Sequence, residues 1–172
     1  LPRPFEFVLM PFFNIKRFFF VFKMIFKNEY RKLNYYLHLP AIYPVSLEES
    51  NLSSKYGYRR DPFSKRKKFH QGDDFSADIG TDVMATANGI VKTSRKYGSF
   101  GNYIEIDHGN GYLTVYGHLN KRFVKVGEEI ERGQIIGEVG NTGRSTAPHL
   151  HYEIQFNNKH INPKKNYFEI KL

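Results

Sequence analysis

The chain has 172 residues, enough for one domain of ordinary size with an extension, and a formal net charge of +9 that favours anionic partners such as cell-wall polymers, acidic lipid surfaces or nucleic acid. It contains 16 Phe and 12 Tyr but no Cys and no Trp. That excludes a disulfide framework and any thiolate metal site, so a metal here must be held by His and carboxylate. Helix-turn-helix, RNA-binding and zinc-finger signatures are missing, and nucleic acid is not expected as a partner.

From Phe5 to Phe26 the chain is dominated by Phe, Val, Ile, Leu and Met, interrupted by Pro11, Asn14, Lys16, Arg17 and Lys23. A spanning helix wants roughly 20 mostly apolar residues without central charges, which the Lys16-Arg17 pair spoils. The segment reads either as an interfacial membrane anchor or as a helix packed on another part of the fold. Lys27 to Leu33 finishes that helix, and Pro40 and Pro44 favour extended chain in a connector that runs to about Leu52. This gives an extension over residues 1–52, a main domain over 53–163 and a tail over 164–172. The charge run Lys65-Arg66-Lys67-Lys68 reads as a solvated loop.

After Ser53 the texture changes to short strands punctuated by Gly, Asn and Pro. Strands are expected at Asp82–Ala85, Gly89–Thr93, Asn102–Ile106, Tyr112–Tyr116, around Ile130, at Ile135–Val139 and at His149–Phe156. His108-Gly109-Asn110-Gly111, between two alternating runs, is a hairpin turn, because Asn and Gly tolerate positive φ. No long helical period follows residue 50, so the pattern predicts an all-β sandwich or barrel.

The chemistry concentrates in three clusters. In Pro148-His149-Leu150-His151-Tyr152-Glu153-Ile154 the strand alternation sends His149 and His151 to one side. His-x-His alone would equally suit a solvated edge strand. Two distant clusters weigh against that: Phe69-His70-Gln71-Gly72-Asp73-Asp74-Phe75 and Tyr116-Gly117-His118-Leu119. On a helix His70 and Asp74 would share one face, but Gly72 and the following Phe75-Ser76-Ala77 suggest a loop running into a strand; in extended chain the two share parity, so either geometry can converge them. With His151 they make two imidazoles and one carboxylate, the three-ligand set of a catalytic zinc site that leaves a fourth position for water. His118 and His149 remain for proton transfer and oxyanion stabilisation.

The motifs taken in order resemble those of the lysostaphin-type (LytM-type) zinc metallopeptidases, a family of peptidoglycan endopeptidases. The resemblance rests on Tyr56-Gly57-Tyr58-Arg59-Arg60-Asp61-Pro62, on His70 to Phe75, on Ala85 to Val91, and on Gly101-Asn102-Tyr103. It continues through Asp107 to Gly111, Tyr116-Gly117-His118-Leu119, Gly140-Asn141-Thr142-Gly143 and His149 to Glu153. It covers Ser53 to Pro163 and does not reach the extension. It implies a compact antiparallel β-sandwich with the family's duplicated hybrid motif, one Zn2+ per chain on His70, Asp74 and His151, and His149 and His118 as the assisting histidines. The activity implied is zinc-dependent hydrolysis of amide bonds in peptidoglycan cross-links or stem peptides, outside the cytoplasm. Apart from the resemblance, Lys16, Arg17 and Lys23 suit anionic lipid headgroups and make a membrane surface an expected partner of the extension. His149 is the preferred base, His118 binds the oxyanion or shuttles the proton, and the two roles are exchangeable.

Neighbouring residues carry lesser expectations. Glu153 either orients a ligand imidazole or is a structural acid, and Asp73, often apolar in the family, is a neighbour and not a fourth ligand. Arg59 and Tyr58 border the groove by resemblance only. His108 is structural, while His38 and His160 have no partner by spacing. The Gly140–Ala147 loop is either a groove wall or an ordinary connection. Two other classes compete with the enzyme: a catalytically silent relative that binds cell wall or activates an amidase, and a carrier domain suggested by Val124–Ile130 and Gly133–Gly137. The first would usually have lost ligands, and the second has no use for His70, Asp74 and His151 together.

Overall fold

A computed structural model describes residues 15–167, with side chains from residue 26 onward; expectations for Phe5–Asn14 and for residues 168–172 lie outside the described residues. The chain divides into two compact units, Leu1–Tyr36 and Leu37–Leu172. Helix α1 runs Ile15–Leu37, four residues past the end expected at Leu33. Phe26, Tyr30 and Leu33, spaced to share one helical face, are exposed. Among the described residues no helix is long and apolar enough to cross a membrane.

The second unit is antiparallel β, as the sequence predicts. Its strands are β1 (Ser50–Ser54), β2 (Gly57–Arg60), β3 (Lys67–His70), β4 (Asp73–Ala77), β5 (Asp82–Met84) and β6 (Gly89–Lys96), then β7 (Asn102–Gly109), β8 (Tyr112–Leu119), β9 (Glu129–Ile130), β10 (Ile135–Glu138), β11 (His149–Phe156) and β12 (Lys159–Ile161). An eight-stranded sheet has the order β1-β4-β11-β8-β7-β6-β9, with β12 paired to β11; β10–β5 and β2–β3 form two separate pairs. Strand alternation sends Leu150, Tyr152 and Ile154 of β11 fully into the core. There they join Phe75, Ile104, Ile106 and Tyr116 of the large sheet and Val83 and Ile136 of the β5–β10 pair. Each such side chain contributes about 1.5–3 kcal/mol by leaving water. The opposite face of β11 is thereby left to His149, His151 and Glu153.

The β7–β8 hairpin turns at Asn110 (φ 51°) and Gly111 (φ 81°), the two left-handed residues that a type I′ turn requires. Four strands escaped the sequence pattern: β1, β2, β3 and β12. They are three to five residues long, too short for alternation to stand out, and Ser50–Ser54 holds one apolar residue. The basic run is only half loop, since Lys67 and Lys68 open β3 while remaining exposed. The stretch from Leu37 to Leu52 belongs to the second unit. Val45 is fully buried in its core, the Met84 N–H donates to the Pro44 carbonyl at 2.8 Å, and Asn51 and Leu52 pair with β4.

Beneath the sheet a chain of buried polar groups links His108 to Tyr152. His108 Nε2 lies 2.7 Å from Thr114 Oγ1, which in turn lies 3.2 Å from the Tyr116 hydroxyl. That hydroxyl and the Tyr152 hydroxyl both meet Thr86 Oγ1, at 3.2 and 2.8 Å. His108 is structural, as expected, and lies on β7 just before the turn. Its Nδ1–H donates to the Asn88 carbonyl at 2.7 Å, and burial pushes its imidazole down to about 4.

Candidate metal centre

Adjacent strands assemble the centre. Asp74 on β4 and His151 on β11 are direct antiparallel partners, so residues 77 apart in sequence become cross-strand neighbours. His70 arrives from the end of β3, and the short link Gln71-Gly72, bent at the glycine, joins it to β4. A Cβ at Gly72 would overlap the Tyr152 carbonyl, so only glycine lets the chain pass this close to β11. Extended chain, not a helix, is what brings His70 and Asp74 together.

Three atoms meet at one point. His151 Nδ1 lies 2.7 Å from Asp74 Oδ1, His70 Nε2 lies 3.1 Å from the same oxygen, and the two nitrogens are 3.1 Å apart. The far side of each ring is already committed. His70 Nδ1–H donates to the Lys55 carbonyl at 3.0 Å, and His151 Nε2–H donates to Glu153 Oε1 at 3.0 Å. A neutral imidazole has one N–H, so these bonds leave lone pairs on both inward nitrogens, facing a carboxylate oxygen. Three converging lone pairs on buried residues repel one another until a cation sits between them, and the donor set fits zinc. Charge shows the same demand for a cation, which a proton on His151 Nδ1 meets in place of a metal. Burial would lower the pKa of His151, but Asp74 and Glu153 outweigh it and raise it to about 9. Burial would raise Asp74, but His151 and His70 hold it below the usual carboxylate range.

The outer contacts of the ligands are equally specific. Arg59, on β2, donates to Asp74 Oδ2 at 3.2 Å and lines the groove, whereas Tyr58 beside it points away and packs on Phe69. Glu153 orients His151, so the orienting role is the one its geometry supports. Its second oxygen accepts from His160 Nε2 at 3.0 Å, a partner that spacing gave no reason to expect. Asp73 faces the other way and accepts from the Tyr56 N–H at 2.8 Å. His38 is half-buried and does not line the groove.

His149 and His118 flank the centre with ring centroids 4.7 Å apart. His149 Nδ1–H donates to the Ala147 carbonyl at 2.8 Å, while its Nε2 lies 3.8 Å from Asp74 Oδ1. His118 reaches the site by a backbone irregularity. Tyr116 opposes Tyr152 on the core face and Gly117 opposes His151 on the site face, so a regular strand would return His118 to the core. The register between β7 and β8 slips between Asn102/Leu119 and Ile104/Tyr116, and His118 takes φ 62°. This bulge turns His118 toward the site, and Leu119 after it is back in the core. His118 Nδ1–H donates to the Thr142 carbonyl at 2.8 Å, and burial lowers its imidazole to about 4. Thr142 is itself held, accepting from the Asn102 N–H at 3.0 Å and donating to the Leu119 carbonyl at 2.9 Å.

The groove has a volume of about 380 Å3. The loop expected as wall or connection is a wall, because Arg144 to Pro148 line it. Arg144 forks onto Asp61 at 2.8 and 3.1 Å, covers the Phe63 ring at 4.1 Å, and donates its backbone N–H to the Ser99 carbonyl at 2.7 Å. Three segments distant in sequence are thereby tied into one rim. Asp61, Phe63, Ser99, Phe100 and Arg144 carried no signal of this in their own neighbourhoods.

Residues 68–163 match the family model described as Peptidase family M23. The peptidoglycan DD-endopeptidase ShyA of Vibrio cholerae serotype O1 is 45% identical over 124 residues, which are 72% of this chain and 29% of that protein. The DD-carboxypeptidase/endopeptidase Mpg of Neisseria meningitidis serogroup B is 41% identical over 114 residues, 66% of this chain and 26% of Mpg. This chain therefore spans less than a third of the length of these curated relatives. Among solved structures, a zinc-containing peptidase from Vibrio cholerae superposes with a TM-score of 0.66 at 39% identity, covering 70% of this chain and 38% of that one. The catalytic domain of lysostaphin from Staphylococcus simulans gives 0.62 at 34% identity, covering 67% of this chain and 90% of that domain.

Proposed function

The chain belongs to peptidase family M23, and from that premise we propose that it is a zinc-dependent endopeptidase that hydrolyses amide bonds in peptidoglycan cross-links or stem peptides. The observation that carries this reading is the convergence of three lone pairs, on His70 Nε2, Asp74 Oδ1 and His151 Nδ1, on the floor of an open groove. These residues would hold one Zn2+ per chain. When bound, zinc supplies a Lewis acid that acidifies a water toward pKa ~7 and polarises the scissile carbonyl.

The chain's own groups do the rest. His149 is the assigned base, since its Nδ1–H is committed to the Ala147 carbonyl and its free Nε2 lies 3.8 Å from Asp74 Oδ1. It takes a proton at Nε2 from the attacking water and returns one to the departing amide nitrogen. His118, at about 4, is neutral near pH 7 and presents a lone pair at Nε2. That supports the shuttle role, because a hydrogen bond from Nε2 to an oxyanion first requires a proton there. Asp61 and Arg144 hold the rim against which an extended peptide lies.

The names of ShyA and Mpg make a bond of the DD type the first substrate to test. Such a substrate places the enzyme outside the cytoplasm, in the cell envelope. Exposed Phe26, Tyr30 and Leu33 beside Lys27, Arg31 and Lys32 support a membrane-surface role for α1. Digestion of purified peptidoglycans of different cross-link chemistry, with mass analysis of the fragments, tests the activity. Conversion of cross-linked into monomeric muropeptides, stopping when zinc is chelated, is the expected result. Cross-links left intact by zinc-loaded protein would sink the reading.

A further inference from the structure

Glu153 stands behind the metal centre, 3% exposed, with two carboxylate oxygens to satisfy. Oε1 accepts from His151 Nε2, and Oε2 accepts from His160 Nε2, each at 3.0 Å. Gln155 Nε2 lies 3.3 Å from the same His160 nitrogen. The shorter contact, to a carboxylate, decides the tautomer: a lone pair on His160 Nε2 would face the negative charge, so that nitrogen carries the hydrogen.

The β11–β12 hairpin sets this contact by its register. Asn157 (φ 48°) and Asn158 (φ 61°) make the turn, and Gln155 then opposes His160. Glu153, two residues before Gln155 on the same face, becomes the diagonal neighbour of His160. The Tyr56 hydroxyl donates to the His160 carbonyl at 3.0 Å, which anchors β12 independently of the His160 side chain.

We propose that His160 is a positioning residue for the metal centre, acting through Glu153 to keep the His151 ring turned so that Nδ1 faces Asp74 and His70. The physical reason lies in two soft torsions. The last torsion of a Glu and the ring torsion of a His have broad wells and are fixed only by the bonds their tips make. A carboxylate held through Oε1 alone pivots, and the His151 ring pivots with it. The bond from His160 to Oε2 fixes the plane of the carboxylate, and that plane fixes the ring.

This rests on the reading of His70, Asp74 and His151 as a zinc site, and the test separates the two. Zinc dissociation constants of the full chain are measured by chelator competition for the wild type, His160→Leu and His160→Gln. Leu fills similar volume with no donor, whereas Gln keeps a side-chain N–H. His160→Leu should weaken zinc about 10-fold or more, the lower end of what partners of a metal ligand contribute, and His160→Gln should stay near the wild-type value. Unchanged affinity in His160→Leu, or an equal loss in both variants, overturns the proposal while leaving the zinc site standing. A wild-type chain that binds no zinc overturns the site reading and this proposal with it. On the zinc-loaded wild type, imidazole nitrogen NMR should find His160 as the Nε2–H tautomer with a slowly exchanging proton. The opposite tautomer refutes the arrangement whether or not the variants fold.

Discussion

Replacing His108 by Gln should remove a defined part of the acid sensitivity of the fold. Folded His108, buried and neutral, has its pKa lowered to about 4, against about 6.5 for an ordinary imidazole. The unfolded chain therefore binds this proton more tightly, and the stability tied to neutral His108 is complete above pH 6.5 and lost as pH falls toward 4. At pH 4.5 the unfolded imidazole is almost fully protonated and the folded one only about a quarter so, which integrates from pH 7 to a loss of about 2 kcal/mol. Gln cannot ionise, and it keeps a donor for the Asn88 carbonyl and an acceptor for the Thr114 hydroxyl. The assay is urea unfolding of zinc-free protein at pH 7 and pH 4.5, followed by circular dichroism because the chain has no Trp. Every other titrating group, His118 included, is common to both proteins and cancels in the difference of differences. The wild type should lose about 2 kcal/mol more than His108→Gln over that pH interval. Equal losses would mean that His108 is not buried neutral in the folded chain.

The remaining predictions concern the centre and the boundary of the β unit. Metal analysis should find about one zinc per chain, most of it removed by His151→Ala and kept by His149→Ala; full zinc in both variants would refute the ligand assignment. His149→Ala and His118→Ala should each retain fold and zinc yet lose at least ~10²-fold in turnover of a defined muropeptide, and near-normal turnover would exclude that histidine from proton transfer. Chains starting at Leu37 and at Asn51 are to be compared by urea unfolding. The one starting at Asn51 loses the burial of Val45 and the Pro44–Met84 bond, and should be weaker by at least about 2 kcal/mol. Equal midpoints for the two shortened chains would refute the packing assigned to residues 37–50.

Longer strands with a period of two, and fixed local turns, are readable along the chain. Alternation in His149–Phe156 already separated Leu150, Tyr152 and Ile154 from His149, His151 and Glu153, since a strand has only two faces. His70, Asp74 and His151 stood out because their residue types suit one ligand set, and Asn110-Gly111 because few residues accept positive φ. The rest depends on pairing between distant segments. By parity His118 belongs in the core with Tyr116, and the bulge that redirects it is a register slip between β7 and β8, which no local pattern encodes. Asp61 and Arg144 close the rim across 83 positions of sequence, and Glu153 meets His160 only because a hairpin register sets them diagonal. Residues 37–52 read as a connector because their few apolar side chains lack a period. Val45 is nonetheless buried, since the surface it covers is made by strands that follow it in the chain. Local chemistry names the groups, and long-range pairing fixes where each of them points.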